Sequence, residues 1–167
     1  VTLRPLAHGD FDALHLAASD PEIWQQHPDN KRYQRDIFQS RFFEGAMSSG
    51  GAFAIIENSS QSIIGSTRYY EWDAKTAAVA IGYTFLARKH WGDGSNTDMK
   101  REMLKHAFQK AKEVWFHVAK NNLRSRGATE KLGASLAYEE DRSLDGKAYV
   151  QCYYRLDSSQ YLALIQS

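Results

Sequence analysis

The stretch His90-Trp91-Gly92-Asp93-Gly94-Ser95-Asn96-Thr97 places two glycines, a carboxylate and three small polar side chains between an apolar run, 79–86, and an amphipathic run, 97–111. A glycine-bearing turn that leads from a strand into a helix aims several unpaired backbone N–H groups at one point, and the helix dipole adds partial positive charge there. Such a place holds an anion such as a pyrophosphate without a dedicated cationic side chain. A Walker A loop is excluded because no Gly-Lys-Ser or Gly-Lys-Thr follows, and a Rossmann turn because Thr97 stands where the third glycine belongs. The chemistry expected is the holding of a phosphate-bearing cofactor.

Other reactive residue types are sparse or badly spaced for catalysis on their own. His8, His15, His27, His90, His106 and His117 show no metal-ligand spacing, so no metal is expected; His90 abuts the turn and could touch phosphate, although solvent-facing or packing roles are the favoured reading of all six. The single cysteine, Cys152, excludes a disulfide framework and a multi-cysteine metal site, and its alternation with aromatic neighbours reads as packing. With 21 basic and 20 acidic residues the formal net charge is +1, which gives no reason to expect nucleic acid as a partner. No apolar run approaches the roughly 20 residues of a membrane span. A secretory leader is not visible, and a cytoplasmic location is the expectation.

The elements that must position these residues follow from periodicity. Residues 1–6 read as a short strand, 10–18 as a helix, 20–24 as a helical turn begun by Asp20-Pro21, and 31–47 as a longer helix with Tyr33, Ile37, Phe38, Phe42 and Met47 on one broad face. From residue 52 the period shortens, giving strands at 53–57, 63–72 and 77–86 separated by turn-rich stretches. The helix 97–111 buries Met99, Met103, Leu104, Ala107, Phe108 and Ala111 and leaves Lys100, Arg101, Lys105 and Lys110 outside. A strand at 114–118, a helix at 121–132 stopped by Gly133, an antiparallel pair at 134–139 and 149–156, and a helix at 158–165 close the chain. The expected class is α+β, and with no repeat or linker residues 1–167 read as a single domain.

The order of these motifs resembles the GNAT superfamily of acetyl-CoA-dependent N-acetyltransferases, and within it the branch named after ribosomal-protein-alanine and -serine N-acetyltransferases. The resemblance runs from Leu3-Arg4-Pro5-Leu6, through Ile81-Gly82-Tyr83-Thr84-Phe85-Leu86 and 91–97, to Asn121-Asn122-Leu123-Arg124-Ser125-Arg126 and Glu130-Lys131-Leu132-Gly133-Ala134. It implies a mixed, mostly antiparallel central sheet flanked by helices, with acetyl-CoA as co-substrate and an amine as acceptor. Trp91, Gly92, Asp93, Gly94, Ser95, Asn96 and Thr97 would form the pyrophosphate loop, in which Trp91 and Asn96 depart from the usual Q/R-x-x-G-x-G/A form. Backbone groups of Thr84, Phe85 and Leu86 would hold the pantetheine, the N–H of Phe85 polarising the thioester carbonyl where negative charge develops. Asn122 would bond the same arm or cap its helix, Ser125 would sit near the sulfur, and Arg124 and Arg126 could approach the phosphates.

One departure bears on mechanism. Many relatives carry glutamate immediately before Ile-Gly-Tyr, where it can assist proton removal; here that residue is Ala80, and Glu71 and Asp73 are the replacement candidates beside their reading as turn residues. An α-amine with a pKa near 8 needs little help at neutral pH, whereas a lysine amine near 10.4 needs more. The activity expected is direct acetyl transfer to a primary amine, a protein N-terminus or a small molecule. A non-catalytic CoA-binding module and an acyltransferase for another acyl-CoA stand as alternatives. The closing strands supply an edge at which two copies could pair into a homodimer.

Overall fold

The computed structural model describes residues 1–166. Its strands are β1 (Thr2–Pro5), β2 (Ala52–Ile56), β3 (Ile63–Asp73), β4 (Ala78–Leu86), β5 (Glu113–Ala119), β6 (Ser135–Leu144) and β7 (Lys147–Asp157). Its α-helices are α1 (Phe11–Ala18), α2 (Arg35–Phe38), α3 (Glu44–Ser49), α4 (Ser95–Ala107), α5 (Leu123–Lys131) and α6 (Ser158–Gln166). The sheet order is β1-β2-β3-β4-β5-β7-β6. The pairs β1–β2, β2–β3, β5–β7 and β6–β7 are antiparallel and β4–β5 is parallel, which is the mixed, mostly antiparallel sheet expected. Contacts group the chain into two compact units, one of Val1–Gln25, Asp29–Tyr70 and Gly82–Met103, the other of Gln26–Pro28, Glu71–Ile81 and the chain from Leu104 onward.

The first unit is built on aromatic packing. Phe38 and Phe42 stack at 4.9 Å, and Trp24 and Phe85 close on them, with Leu14, Ile23, Ala46 and Ala54 buried around the rings. The expected helix 31–47 instead begins at Arg35, because the buried Asp29 binds Arg32 at 3.0 Å and Arg41 at 3.5 Å and holds the preceding residues in turns. Between α2 and α3 a π-helical turn spans Gln39–Phe43. The extra residue in such a turn rotates the helix face, so that the adjacent Phe42 and Phe43 are both buried. Gly50, at φ +66°, caps α3 in the left-handed region.

In the second unit β5 and β7 bury Val114, Phe116, Cys152, Tyr154 and Leu156, alternating as strand geometry requires. The opposite face of β5 carries Trp115 and His117, both half-buried. The closing hairpin is longer than the periodicity suggests. Asp145 and Gly146, at φ +50° and +76°, form the two-residue turn, and pairing runs out to Leu144 opposite Lys147. An Asp-Gly turn favours this geometry, but its strands carry charged, exposed residues on both sides and give no apolar alternation to read. β6, exposed from Ser135 to Ser143, is an edge strand.

Candidate active site

β4 changes character at its middle. Tyr83 sits at φ +50°, a left-handed value rare for a side-chain-bearing residue inside a strand. The kink breaks strict alternation: Tyr83 points outward, its ring 4.0 Å from the guanidinium of Arg68 and 5.2 Å from Tyr70, while Phe85 and Leu86 are both buried. Parallel pairing of β4 with β5 covers Ala78–Ala80 opposite Glu113–Trp115, and no further pair is registered among the described residues. The neighbouring strand approaches closely: a Cβ on Gly65 would lie 2.1 Å from the carbonyl oxygen of Phe85, so only glycine fits there.

Thr84 anchors a polar cluster beneath this segment. Its hydroxyl shares a 2.9 Å hydrogen bond with Thr67 and accepts one of 3.2 Å from Lys100 Nζ. Helical spacing puts Lys100 on the outer face of α4; it is instead buried, and loss of hydration brings its pKa down to about 7. The hydrophobic pattern misplaces it because the long side chain reaches inward to the Thr84 hydroxyl on β4.

The loop from His90 into α4 has the form its glycines suggest. Gly92 and Gly94 sit at φ +79° and +94°, and the Trp91 indole N–H donates to Leu86 O at 3.1 Å, tying the loop to the end of β4. The helix begins at Ser95, two residues before the expected start. Asp93 explains the shift: its carboxylate accepts the Ser95 N–H at 2.8 Å while sharing a 2.9 Å bond with Nδ1 of the buried His90. The Ser95 bond, ahead of the His90 bond, holds the Asp93 carboxyl below its usual pKa. One donor assigned to pyrophosphate is therefore used by the chain itself. The first helical bond runs from Asp98 N–H to Gly94 O at 3.0 Å, and the amides of Asn96 and Thr97 lie in the first turn, where no intrahelical acceptor precedes them.

Asn122 and Ser125 open α5. The Asn122 side-chain oxygen accepts the Ser125 N–H at 3.2 Å, so the cap is formed and its amide NH2 is the part left to a ligand. Arg126 donates to the Tyr154 hydroxyl at 2.8 Å and to Lys120 O at 3.1 Å, uses that belong to the fold rather than to phosphate. The N–H of Arg124 donates to Gln26 Oε1 at 3.2 Å. Of the two replacement acids, Asp73 is a turn residue, bound at 2.8 Å both to the Lys75 N–H and to the Thr76 hydroxyl. Glu71 is exposed, at φ +52°, with Oε2 at 3.9 Å from His117 Nε2. No sequence motif surrounds His117; its significance comes from chain segments far apart in number. Burial lowers its pKa, Glu71 opposes that shift and Arg142 adds to it.

Trp24 and Phe42 serve the core, and Cys152 is buried as packing. Among the described residues no group of three or more His, Cys, Asp or Glu side chains is placed to hold a metal ion, and no helix is long and apolar enough to cross a membrane. A hollow of about 380 Å³ beside Phe43 and Met47 includes none of the expected site residues in its lining.

Comparisons with known proteins bear on the fold and the family. Residues 1–135 match the model of the acetyltransferase (GNAT) domain, whereas a search of curated proteins finds no match. A GCN5-related N-acetyltransferase from Brucella melitensis aligns with TM-score 0.86 at 18% identity, over 98% of this chain and 78% of that one. A putative acetyltransferase from T. thermophilus gives 0.80 at 25% identity, over 97% and 88% of the two chains. Spermidine N-acetyltransferase from Vibrio cholerae, in complex with CoA and spermine, gives 0.75 at 17%, over 96% and 97%. Because the family model spans most of the sequence and the sheet is the one these structures share, the chain belongs to the GNAT acetyltransferase family.

Proposed function

We propose that residues 1–167 act as one catalytic domain that transfers the acetyl group of acetyl-CoA directly to a primary amine. The observation carrying this reading is the Gly92–Gly94 turn, left-handed at both glycines, feeding the first turn of α4 at the end of the kinked β4. The cradle fits a diphosphate: a Cβ at either glycine would meet nothing within 4 Å, so the backbone can be approached closely from outside. In this reading Trp91 to Thr97 surround the diphosphate, with the amides of Asn96 and Thr97 as donors. Main-chain groups of Thr84, Phe85 and Leu86, which follow the last pair that β4 makes with β5, take the pantetheine. The Phe85 N–H stabilises charge developing on the thioester oxygen, Asn122 bonds the arm through its NH2, and Ser125 donates to the sulfur. The proposed transfer calls on no metal.

The acceptor classes proposed are a protein N-terminus, as in the ribosomal-protein-alanine and -serine branch, and a small-molecule amine, of which spermine in the Vibrio complex is an instance. The cytoplasm is the proposed place of action, and the edge strand β6 the proposed seam of a homodimer. Calorimetry with CoA, followed by transfer assays over a panel of amines, tests the reading; the expected result is binding and turnover with acetyl-CoA. Absence of CoA binding by folded protein would overturn it. Binding without turnover on any amine favours a non-catalytic CoA module, a second reading motivated by Ala80, and preference for a longer chain would make it an acyltransferase of another acyl-CoA.

A further inference from the structure

A second constellation lies wholly within the second unit. A cavity of about 240 Å³ is lined by Glu71 and Asp73 of β3, Ala80 and the start of β4, Trp115 and His117 of β5, Tyr138 of β6 and Tyr153 of β7, with Thr76 from the turn after β3. Its wall is aromatic: Tyr138 and Tyr153 stack at 4.4 Å, His117 lies 4.6 Å from Tyr153, and Trp115 lies 6.1 Å from Tyr138. Its polar edge is the imidazole of His117 facing the Glu71 carboxylate. The fold supports both sides of that pair. Glu71 sits at φ +52°, off the regular strand path, which turns its side chain toward β5. Tyr153 is fixed by a 2.8 Å bond to Glu140.

Aromatic faces and the carboxylates of Glu71 and Asp73 favour an organic cation, since ring faces are electron-rich and a carboxylate attracts the ammonium. A neutral imidazole beside them can take a proton. Ala80 lines the same cavity, where its methyl group leaves room for a ligand beside the Glu71–His117 pair.

We propose that this cavity receives the ammonium of a primary alkylamine acceptor and that His117, held by Glu71, is the base that deprotonates it. The inference rests on the acetyl-transfer reading above. The ammonium gives one proton to the His117 imidazole, leaving the nitrogen lone pair free. That pair forms the C–N bond to the acetyl carbon as the C–S bond breaks, its electrons leaving on sulfur. The second nitrogen proton passes to the thiolate, so an amide, CoA thiol and protonated His117 result. With a base present, alkylamines near pKa 10.4 fall within reach alongside weaker amines.

The charged and titratable groups around His117 are Glu71 and, along the same cavity, Asp73 from β3, Arg142 and Tyr138 from β6, and Tyr153 from β7. Burial and Arg142 keep the ring neutral at pH 7, while Glu71 favours its protonated form.

The test combines ring resonances of His117 with kinetics. Titrating n-butylamine into the protein should move the His117 signals, and n-butanol should not. Glu71→Gln should lower the pH midpoint of that ring. His117→Gln should reduce kcat/KM for n-butylamine about 100-fold at pH 7 and abolish the acidic limb of its pH profile, with CoA affinity unchanged. Unmoved ring signals, or an acidic limb that survives in His117→Gln, would overturn the inference and leave acetyl transfer standing. Failure of the wild type to bind CoA would overturn acetyl transfer, while the ring titration would still decide whether the cavity takes an amine.

Discussion

In the proposed reading, the loop from Trp91 to Thr97 and the cavity around His117 draw on different parts of the chain. In the loop, chemistry resides in the backbone: two left-handed glycines, the amides of a first helical turn, and a tryptophan that ties the turn to β4. In the cavity it resides in side chains delivered by β3, β5, β6 and β7. Backbone sites need a particular run of residues in one place, whereas side-chain sites need only convergence. The first kind leaves a mark in the sequence and the second does not.

Substitutions can strain this contrast, beginning with the largest effect. Gly65→Ala should cost about 3 kcal/mol of stability in thermal or denaturant unfolding, because its Cβ meets the Phe85 carbonyl, a backbone atom that cannot swing away. Unaltered stability would mean that β4 yields easily and that its main chain is not held rigidly.

Lys100 tests whether a side chain matters on the backbone-driven side. Its pKa in the fold, about 7, is below the 10.5 of a free lysine, so the unfolded chain binds the proton more tightly. Stability should then be flat below pH 7 and rise between about pH 7 and pH 10, by at most about 1.4 kcal/mol per pH unit. Lys100→Met should remove that rise in unfolding curves taken across the range; a rise that persists would assign it to other groups.

Gly94→Val forces a branched residue to φ +94° and should weaken CoA about 30-fold by calorimetry, equivalent to about 2 kcal/mol, with the His117 ring response to amine unchanged. Tyr138→Leu should do the reverse, weakening amine binding by about 1 kcal/mol and leaving CoA alone. Matching losses for both ligands in either variant would break the division of labour. The smallest change is expected from Asp93→Asn: CoA binds about threefold more tightly without a competing carboxylate, while the weaker cap lowers stability by about 0.5 kcal/mol.

Much of the fold is readable because the core faces obey simple periods. β4 and α4 stand out through Val79, Ile81, Phe85, Met99 and Met103, and Gly133 ends α5 at φ +81° as its position suggests. Periodicity misleads where spacing and burial part company. Lys100 looks external by helical angle but is drawn in by Thr84; the start of α2 is displaced by the buried Asp29; the hairpin beyond residue 139 lacks any apolar alternation. At the candidate site the loop is visible and Glu71 can be singled out through the absence at Ala80. His117 cannot, because its neighbours Glu71, Tyr138 and Tyr153 are 46, 21 and 36 positions away.

β6 leaves a row of backbone groups along the rim of the sheet, yet its successive Glu139, Glu140 and Asp141 put negative charge on that rim. Strands without a matching cation meet repulsion there before they can be templated onto it, whereas the proposed second copy brings its own Arg142 to the same rim, so growth into fibrils is discouraged without closing the border to a homodimer.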